Sequence, residues 1–142
     1  MEAYEILNEY FIRATRHRCD VLKYFIDSKR ALTHADLEKV FKGKIDRVSL
    51  YRMLHSFSEK KVLCKLVDSN GALSYVFDGH LPNEHSHFHP HYKCKTCNDV
   101  IELPELPESY MQQLKKLNID ELNILAEGTC DECQKTMKKK WN

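Results

Sequence analysis

The sequence predicts an α+β chain in which a winged helix-turn-helix is followed by a small α/β domain built around a metal. Three observations carry that reading. Apolar residues in the first 60 positions recur at helical spacing and are followed by two β-favouring runs around an Asn-Gly turn. Two Cys-x-x-Cys pairs, Cys94/Cys97 and Cys130/Cys133, bracket most of the second half. A chain of 142 residues divided into two such halves leaves each with a thin core, so a metal or a partner subunit is expected to supplement it.

The helices come first. Thr15 is suited to cap a helix whose buried stripe is Val21, Leu22, Phe25 and Ile26. Thr33-His-Ala-Asp36 resembles a capping box with Asp in the acidic position, leading to Leu37, Val40 and Phe41 before Gly43 stops the helix. Asp46 can cap a third helix carrying Leu50, Met53, Leu54 and Phe57 on one face. The runs Val62–Val67 and Ala72–Phe77 then flank Asp68-Ser-Asn70-Gly71, a hairpin signal. Three helices and a hairpin, in that order, are the winged helix-turn-helix, expected over residues 1–79. Its third helix would enter the major groove with Arg47, Ser49, Arg52 and His55 outward and Tyr51 on the flank.

Gly79 to Glu84 has linker composition, and a hinge is placed at 80–84. The second domain, 85–142, is expected to hold a strand from about His85 to Lys93, a knuckle at Cys94–Cys97, a strand Val100–Leu103, a helix around Glu108–Leu117 and a last strand near Leu122–Ala126. Lys138-Lys-Lys140 reads as a solvated basic end.

Composition, 42% hydrophobic and 30% charged, excludes disordered and fibrous classes. No run approaches a membrane span, and acidic Glu2 and Glu5 argue against a secretory signal. A cytoplasmic location is therefore expected, where six cysteines are metal ligands or thiols before they are disulfides. Charge is only weakly informative: residues 1–80 carry 14 Lys+Arg against 11 Asp+Glu, and residues 81–142 carry 8 against 10. A surplus that small does not by itself point to nucleic acid.

The chemistry lies in the second half. Two-residue spacing lets both sulfurs of a knuckle reach one tetrahedral ion, so Cys94, Cys97, Cys130 and Cys133 make a closed structural zinc site. Two separate redox dithiols would need two active sites in a small chain. The second signal is His85-Ser-His87-Phe-His89-Pro-His91, four histidines on alternate residues. Alternate strand residues share a face. A hairpin bent at the knuckle places Glu102 opposite His89 and gathers His89, His91 and Glu102, a set that suits Zn2+, Fe2+ or Mn2+. Asp78, just before the linker, is the best-placed fourth ligand, with His80, His34 and Cys64 as alternatives. His85 and His87 are surplus or weaker binders. His34 otherwise reads as a solvated helix-start residue and Cys64 as a buried strand thiol.

These residues resemble the ferric uptake regulator family over nearly the whole chain. The matching elements are Thr15-Arg-His-Arg18, Val48-Ser-Leu-Tyr51-Arg52, Gly71 through Tyr75, His89-x-His91-x-x-Cys94-x-x-Cys97, Val100-Ile-Glu102 and Gly128-x-Cys130-x-x-Cys133. The resemblance implies a C-terminal α/β dimerisation domain, a homodimer on a palindromic double-stranded DNA operator, and DNA contacts from Arg16, Arg47, Ser49, Tyr51 and Arg52. It also implies structural zinc on the four cysteines, and a regulatory site on Asp78, His89, His91 and Glu102 taking Zn2+ or Fe2+, with Mn2+ a further candidate. A helix-capping histidine frequent in iron and peroxide sensors aligns near Ala31, with His34 three residues later. A further family site needs polar residues where this chain has Phe88, Pro90 and Leu122, so that site is expected to be absent. The expected function is a metal-responsive repressor controlling metal uptake genes, with zinc sensing first and iron or peroxide sensing as the alternative. A zinc hydrolase using His89, His91 and Glu102 is the reading from another class, and it leaves the winged helix without a purpose.

Overall fold

The computed structural model describes residues 1–79, 81–82, 89–120 and 122–141, with side chains through 137. Two compact units, Met1–His85 and Ser86–Asn142, divide the chain.

The first unit contains α1 (Ala3–Glu9), α2 (Arg16–Ser28), α3 (His34–Val40), α4 (Arg47–Glu59) and a hairpin of β1 (Cys64–Val67) and β2 (Leu73–Val76). The capping residues act as expected. Thr15 Oγ1 accepts from the Arg18 N–H, and Thr33 and Asp36 form a full capping box. Asp46 accepts from the Ser49 N–H to start α4. The stripes from α2, α3 and α4 meet in one core, where Val21, Leu22, Phe25, Leu37, Leu50, Leu54 and Phe57 are essentially inaccessible. α1 is an addition to the three helices read from the sequence. Ala3, Ile6 and Leu7 bury one face of its seven residues against that core.

In the hairpin, Cys64 pairs with Val76 and Val67 with Leu73. The turn is held by Asp68, whose Oδ1 accepts from the Asn70 and Ala72 N–H groups at 2.9 and 2.8 Å. Gly71 sits at φ +80, where a side chain would be strained. Leu32 and Tyr75 exchange backbone hydrogen bonds of 2.9 Å, tying the hairpin to the segment before α3.

The second unit has β3 (His91–Cys94), β4 (Val100–Glu102), α5 (Glu108–Lys115), β5 (Leu125–Gly128) and α6 (Asp131–Trp141), with sheet order β4-β3-β5. β3 and β4 are antiparallel; β5 returns parallel to β3 after α5. Two expectations need correction here. The first strand begins at His91 rather than about His85: residues 83–88 lie outside the described residues, His89 and Pro90 precede the strand, and Pro90 has no N–H for the ladder. The last strand begins three residues later than read and ends two later, at Gly128. α6 is an addition to the elements read from the sequence; it opens at the second cysteine pair with the Gln134 N–H donating to the Cys130 carbonyl and includes the basic residues 138–140. Among the described residues of this unit only Cys94 and Met111 are buried hydrophobics, while Ile101, Tyr110 and Leu117 are exposed. The unit is thus too thin to rest on apolar burial alone.

Candidate metal centres and nucleic-acid interface

The four cysteines converge. Cys94 ends β3, and the four-residue knuckle after it closes through hydrogen bonds from the Asn98 N–H to the Cys94 carbonyl and from the Cys94 N–H to the Asp99 carbonyl. Asn98 takes φ +65, a left-handed conformation that asparagine tolerates. The parallel pairing of β3 with β5 sets Cys94 beside Gly128, and the Lys95 N–H donates to the Gly128 carbonyl at 2.8 Å. Cys130 and Cys133 are thereby delivered to the knuckle. All four sulfurs lie within 4.8 Å of one another, with Cys97 and Cys130 at 3.9 Å. Zinc–sulfur bonds of about 2.3 Å in a tetrahedron require sulfurs about 3.8 Å apart. The donor set therefore fits a structural zinc ion.

The electrostatics agree. The backbone N–H groups of Cys130, Cys97 and Thr96 all point at the Cys94 sulfur, at 3.4, 3.5 and 3.4 Å, and hold its thiol down at about 6. Cys133 is pushed up to about 12, first by its hydrogen bond with Cys130 and next by desolvation. One thiolate is stabilised and another resists ionising beside it; a dication is what allows all four to be thiolates together.

The histidine region is arranged differently from the sequence expectation. His91, not His89, stands opposite Glu102 in the β3–β4 ladder. The register is shifted by two because the knuckle closes in a four-residue turn. A shift of two keeps the face, and Glu102 reaches diagonally: His89 Nδ1 lies 3.0 Å from its Oε1. His89, His91 and Glu102 do not form a group whose donor atoms all lie within 4.8 Å of one another. Sequence reasoning missed Glu105, whose Oε1 lies 3.6 Å from His89 Nε2. Asp78 follows β2 in the first unit, where its Oδ2 accepts from the half-buried Cys64 thiol at 2.9 Å. His80, His85 and His87 lie outside the described residues, and so does Phe88 of the further family site. His34 is not simply solvated: its Nδ1 lies 2.8 Å from Glu38 Oε1, and its ring meets Tyr51 edge-on at 6.0 Å.

On α4, Arg47, Ser49, Tyr51, Arg52 and His55 are all exposed, as is Arg16 at the start of α2. Arg47 Nε is 3.2 Å from Glu38, and Tyr51 stacks on His55 with ring centroids 6.4 Å apart. The face is ordered from behind by α3.

Among the described residues no helix is long and apolar enough to cross a membrane. The chain is similar to the peroxide operon regulator of Bacillus subtilis (strain 168), 28% identical over 147 residues that cover 94% of this chain and 92% of the relative. In fold it is similar to a zinc uptake regulator solved with zinc and DNA, 23% identical with TM-score 0.74, covering 96% of this chain and 93% of that one. It is also similar to the ferric uptake regulator of Francisella tularensis solved with iron, 20% identical with TM-score 0.54, covering 87% and 95%. The model of the ferric uptake regulator family matches residues 9–125. Most of the chain, including the winged helix and the first cysteine knuckle, lies inside that match, and the protein belongs to the ferric uptake regulator family of metal-responsive transcription regulators, which are not enzymes.

Proposed function

We propose that this protein is a zinc-responsive repressor that binds a palindromic operator in double-stranded DNA as a homodimer. The observation that carries the reading is the His89–Glu102 pair, 3.0 Å apart at the end of a sheet whose other end carries the four cysteines. Structural zinc on Cys94, Cys97, Cys130 and Cys133 keeps the second unit folded. The regulatory ion is taken by His89, His91 and Glu102, with Asp78 as the ligand from the first unit. Its binding biases the hinge toward the DNA-competent state, so the affinity gained on DNA equals the affinity gained for the ion. Arg47, Ser49, Tyr51 and Arg52 read or grip the duplex from α4, and Arg16 holds a phosphate.

The dimer is supported by the thin second unit, whose exposed Ile101, Tyr110 and Leu117 need a partner surface. Zinc is favoured over iron by Ala31 at the position of the capping histidine and by the histidine-rich surroundings. The Bacillus relative's name, a peroxide operon regulator, favours a second reading in which iron at the same ligands senses peroxide.

Band-shift assays on the full chain with its four-cysteine site filled, against the upstream DNA of metal uptake genes, test the proposal with added Zn2+, Fe2+ and Mn2+ and with chelator. Retardation that requires Zn2+ and is lost in His89→Ala together with one bound ion is the expected result. Equal binding in chelator and every metal would sink the sensor, and a requirement for Fe2+ with release on peroxide would transfer it to the second reading.

A further inference from the structure

His89 is flanked by carboxylates at both ring nitrogens. Glu102 Oε1 is 3.0 Å from Nδ1 and Glu105 Oε1 is 3.6 Å from Nε2, while the imidazole is only 5% exposed. Both carboxylates belong to the same short stretch. β4 ends at Glu102, the Leu103 N–H donates to the Pro90 carbonyl at 3.0 Å, and Pro104 then sets the direction of the chain into Glu105. The strand exit is pinned beside His89, and the loop brings a second acid to the far edge of its ring.

An imidazole that ligates a metal offers one nitrogen lone pair to the ion and carries its proton on the other nitrogen. Two ligand atoms on one tetrahedral ion with bonds of about 2.0–2.1 Å are about 3.3 Å apart, so the Nδ1–Glu102 separation is close to an edge that a single ion can share. Nε2 points the other way. A carboxylate there cannot join that edge, but it can accept the Nε2 proton, which fixes the tautomer and ring orientation and makes Nδ1 a stronger donor.

We propose that Glu105 is a positioning residue for the regulatory ion: it accepts the Nε2 proton of His89 and so holds Nδ1 toward Glu102. The inference rests on His89 and Glu102 being regulatory ligands, as proposed above. At 3.6 Å the pair is beyond a hydrogen bond, and Glu105, 63% exposed at its side chain, closes the gap by rotating. Its exposure also means that substituting it leaves the fold intact.

The test uses the full chain with its four-cysteine site filled and measures the second zinc by competition against a chelator, while 15N-edited NMR of the histidine-labelled, zinc-loaded protein reads solvent exchange of the His89 Nε2–H. Glu105→Ala is expected to weaken the second zinc about tenfold with stoichiometry unchanged. Glu105→Gln, which keeps an acceptor oxygen, recovers most of that loss. The Nε2–H exchanges slowly in the zinc-loaded unsubstituted protein and several-fold faster in Glu105→Ala. Affinity within twofold of the unsubstituted protein, equal exchange in both, or outright loss of the second ion, which would make Glu105 a ligand itself, each overturns the proposal. A protein that takes no second zinc at all defeats the regulatory site and the proposal with it, an outcome distinct from a second zinc that binds without regard to Glu105.

Discussion

Phe11 is the residue whose replacement should stabilise the protein. α1 ends there: the Phe11 N–H donates to the Asn8 carbonyl at 3.0 Å and the Ile12 N–H to the Leu7 carbonyl at 2.9 Å, which forces Phe11 to φ +58. Glycine normally occupies this position after a helix, because a left-handed residue with a side chain costs about 1–2 kcal/mol. The ring gives little in return, being 90% exposed between buried Tyr10 and Ile12. Burying a Phe fully is worth about 1.5–3 kcal/mol, so a tenth of that, about 0.2 kcal/mol, is lost with the ring. Glycine's extra freedom in the unfolded chain costs about 0.5–1 kcal/mol. Phe11→Gly is therefore expected to stabilise the first unit by about 0.5 kcal/mol, slowing exchange of its most protected amides about twofold. Leu22, Leu54 and Phe57, which lie in the core, are suitable probes. Phe11→Ala removes the same ring but keeps the left-handed strain, so it should give no gain. If Gly and Ala behave alike, or if Gly destabilises, the account of strain at this position is wrong.

Two further outcomes follow from the same physical reasoning. Cys130→Ala should lose one zinc equivalent by metal analysis and abolish amide protection in β3, β4 and β5 while leaving α2 and α4 protected; retained protection in the sheet would show that apolar burial suffices there. Hydrogen bonding from Ser49, through its side chain and its backbone N–H, lowers the Asp46 carboxyl from its ordinary value, so the cap is stronger in the ionised form. Its contribution is present above the unfolded value of about 3.9 and is lost as pH falls through the lowered folded value. Asp46→Asn should then be less stable than the parent near neutrality in urea titrations, with the difference closing in acid; a difference independent of pH would assign the cap to shape alone.

What the sequence revealed and what it hid follow from which forces act locally. α4 was legible because an acidic cap and four apolar residues at helical spacing state the same thing twice. The convergence of the four cysteines was legible because tetrahedral sulfur chemistry dictates their spacing regardless of the fold around them. α1 was not, since three small-to-medium apolar residues in seven positions carry little periodic signal and the helix exists only against the core of its neighbours. α6 was hidden for the opposite reason: six of its eleven residues are charged, and its start is set by the geometry of Cys130 and Cys133 rather than by an apolar stripe. The β3–β4 register turned on how many residues the knuckle spends, which depends on Asn98 accepting a left-handed turn. Glu105 was missed because the proline-punctuated run Glu102-Leu-Pro-Glu105-Leu-Pro107 has neither strand nor helix periodicity, and the Leu103–Pro90 hydrogen bond that aims it is a tertiary contact.

Under the proposed function, that arrangement also orders the two metals. β3 is four residues long and carries His91 at one end and Cys94 at the other. Zinc at the four cysteines fixes the strand through Cys94 and, by the Cys130 and Lys95 hydrogen bonds, fixes β5 against it. A regulatory ion at His89, His91 and Glu102 uses the opposite end of the same strand pair and presupposes that pairing. Dependence therefore runs one way. Stripping the cysteine site removes the platform on which the histidines stand, whereas emptying the histidine site leaves all four thiolates and both strand pairings in place. For a sensor this asymmetry is required: a site that reports on metal must fill and empty across the range of supply, and it can do so without unfolding only if its scaffold is held by an ion that stays bound. Four thiolates closing every coordination position suit the resident ion, and imidazole and carboxylate on a strand edge suit the one that comes and goes.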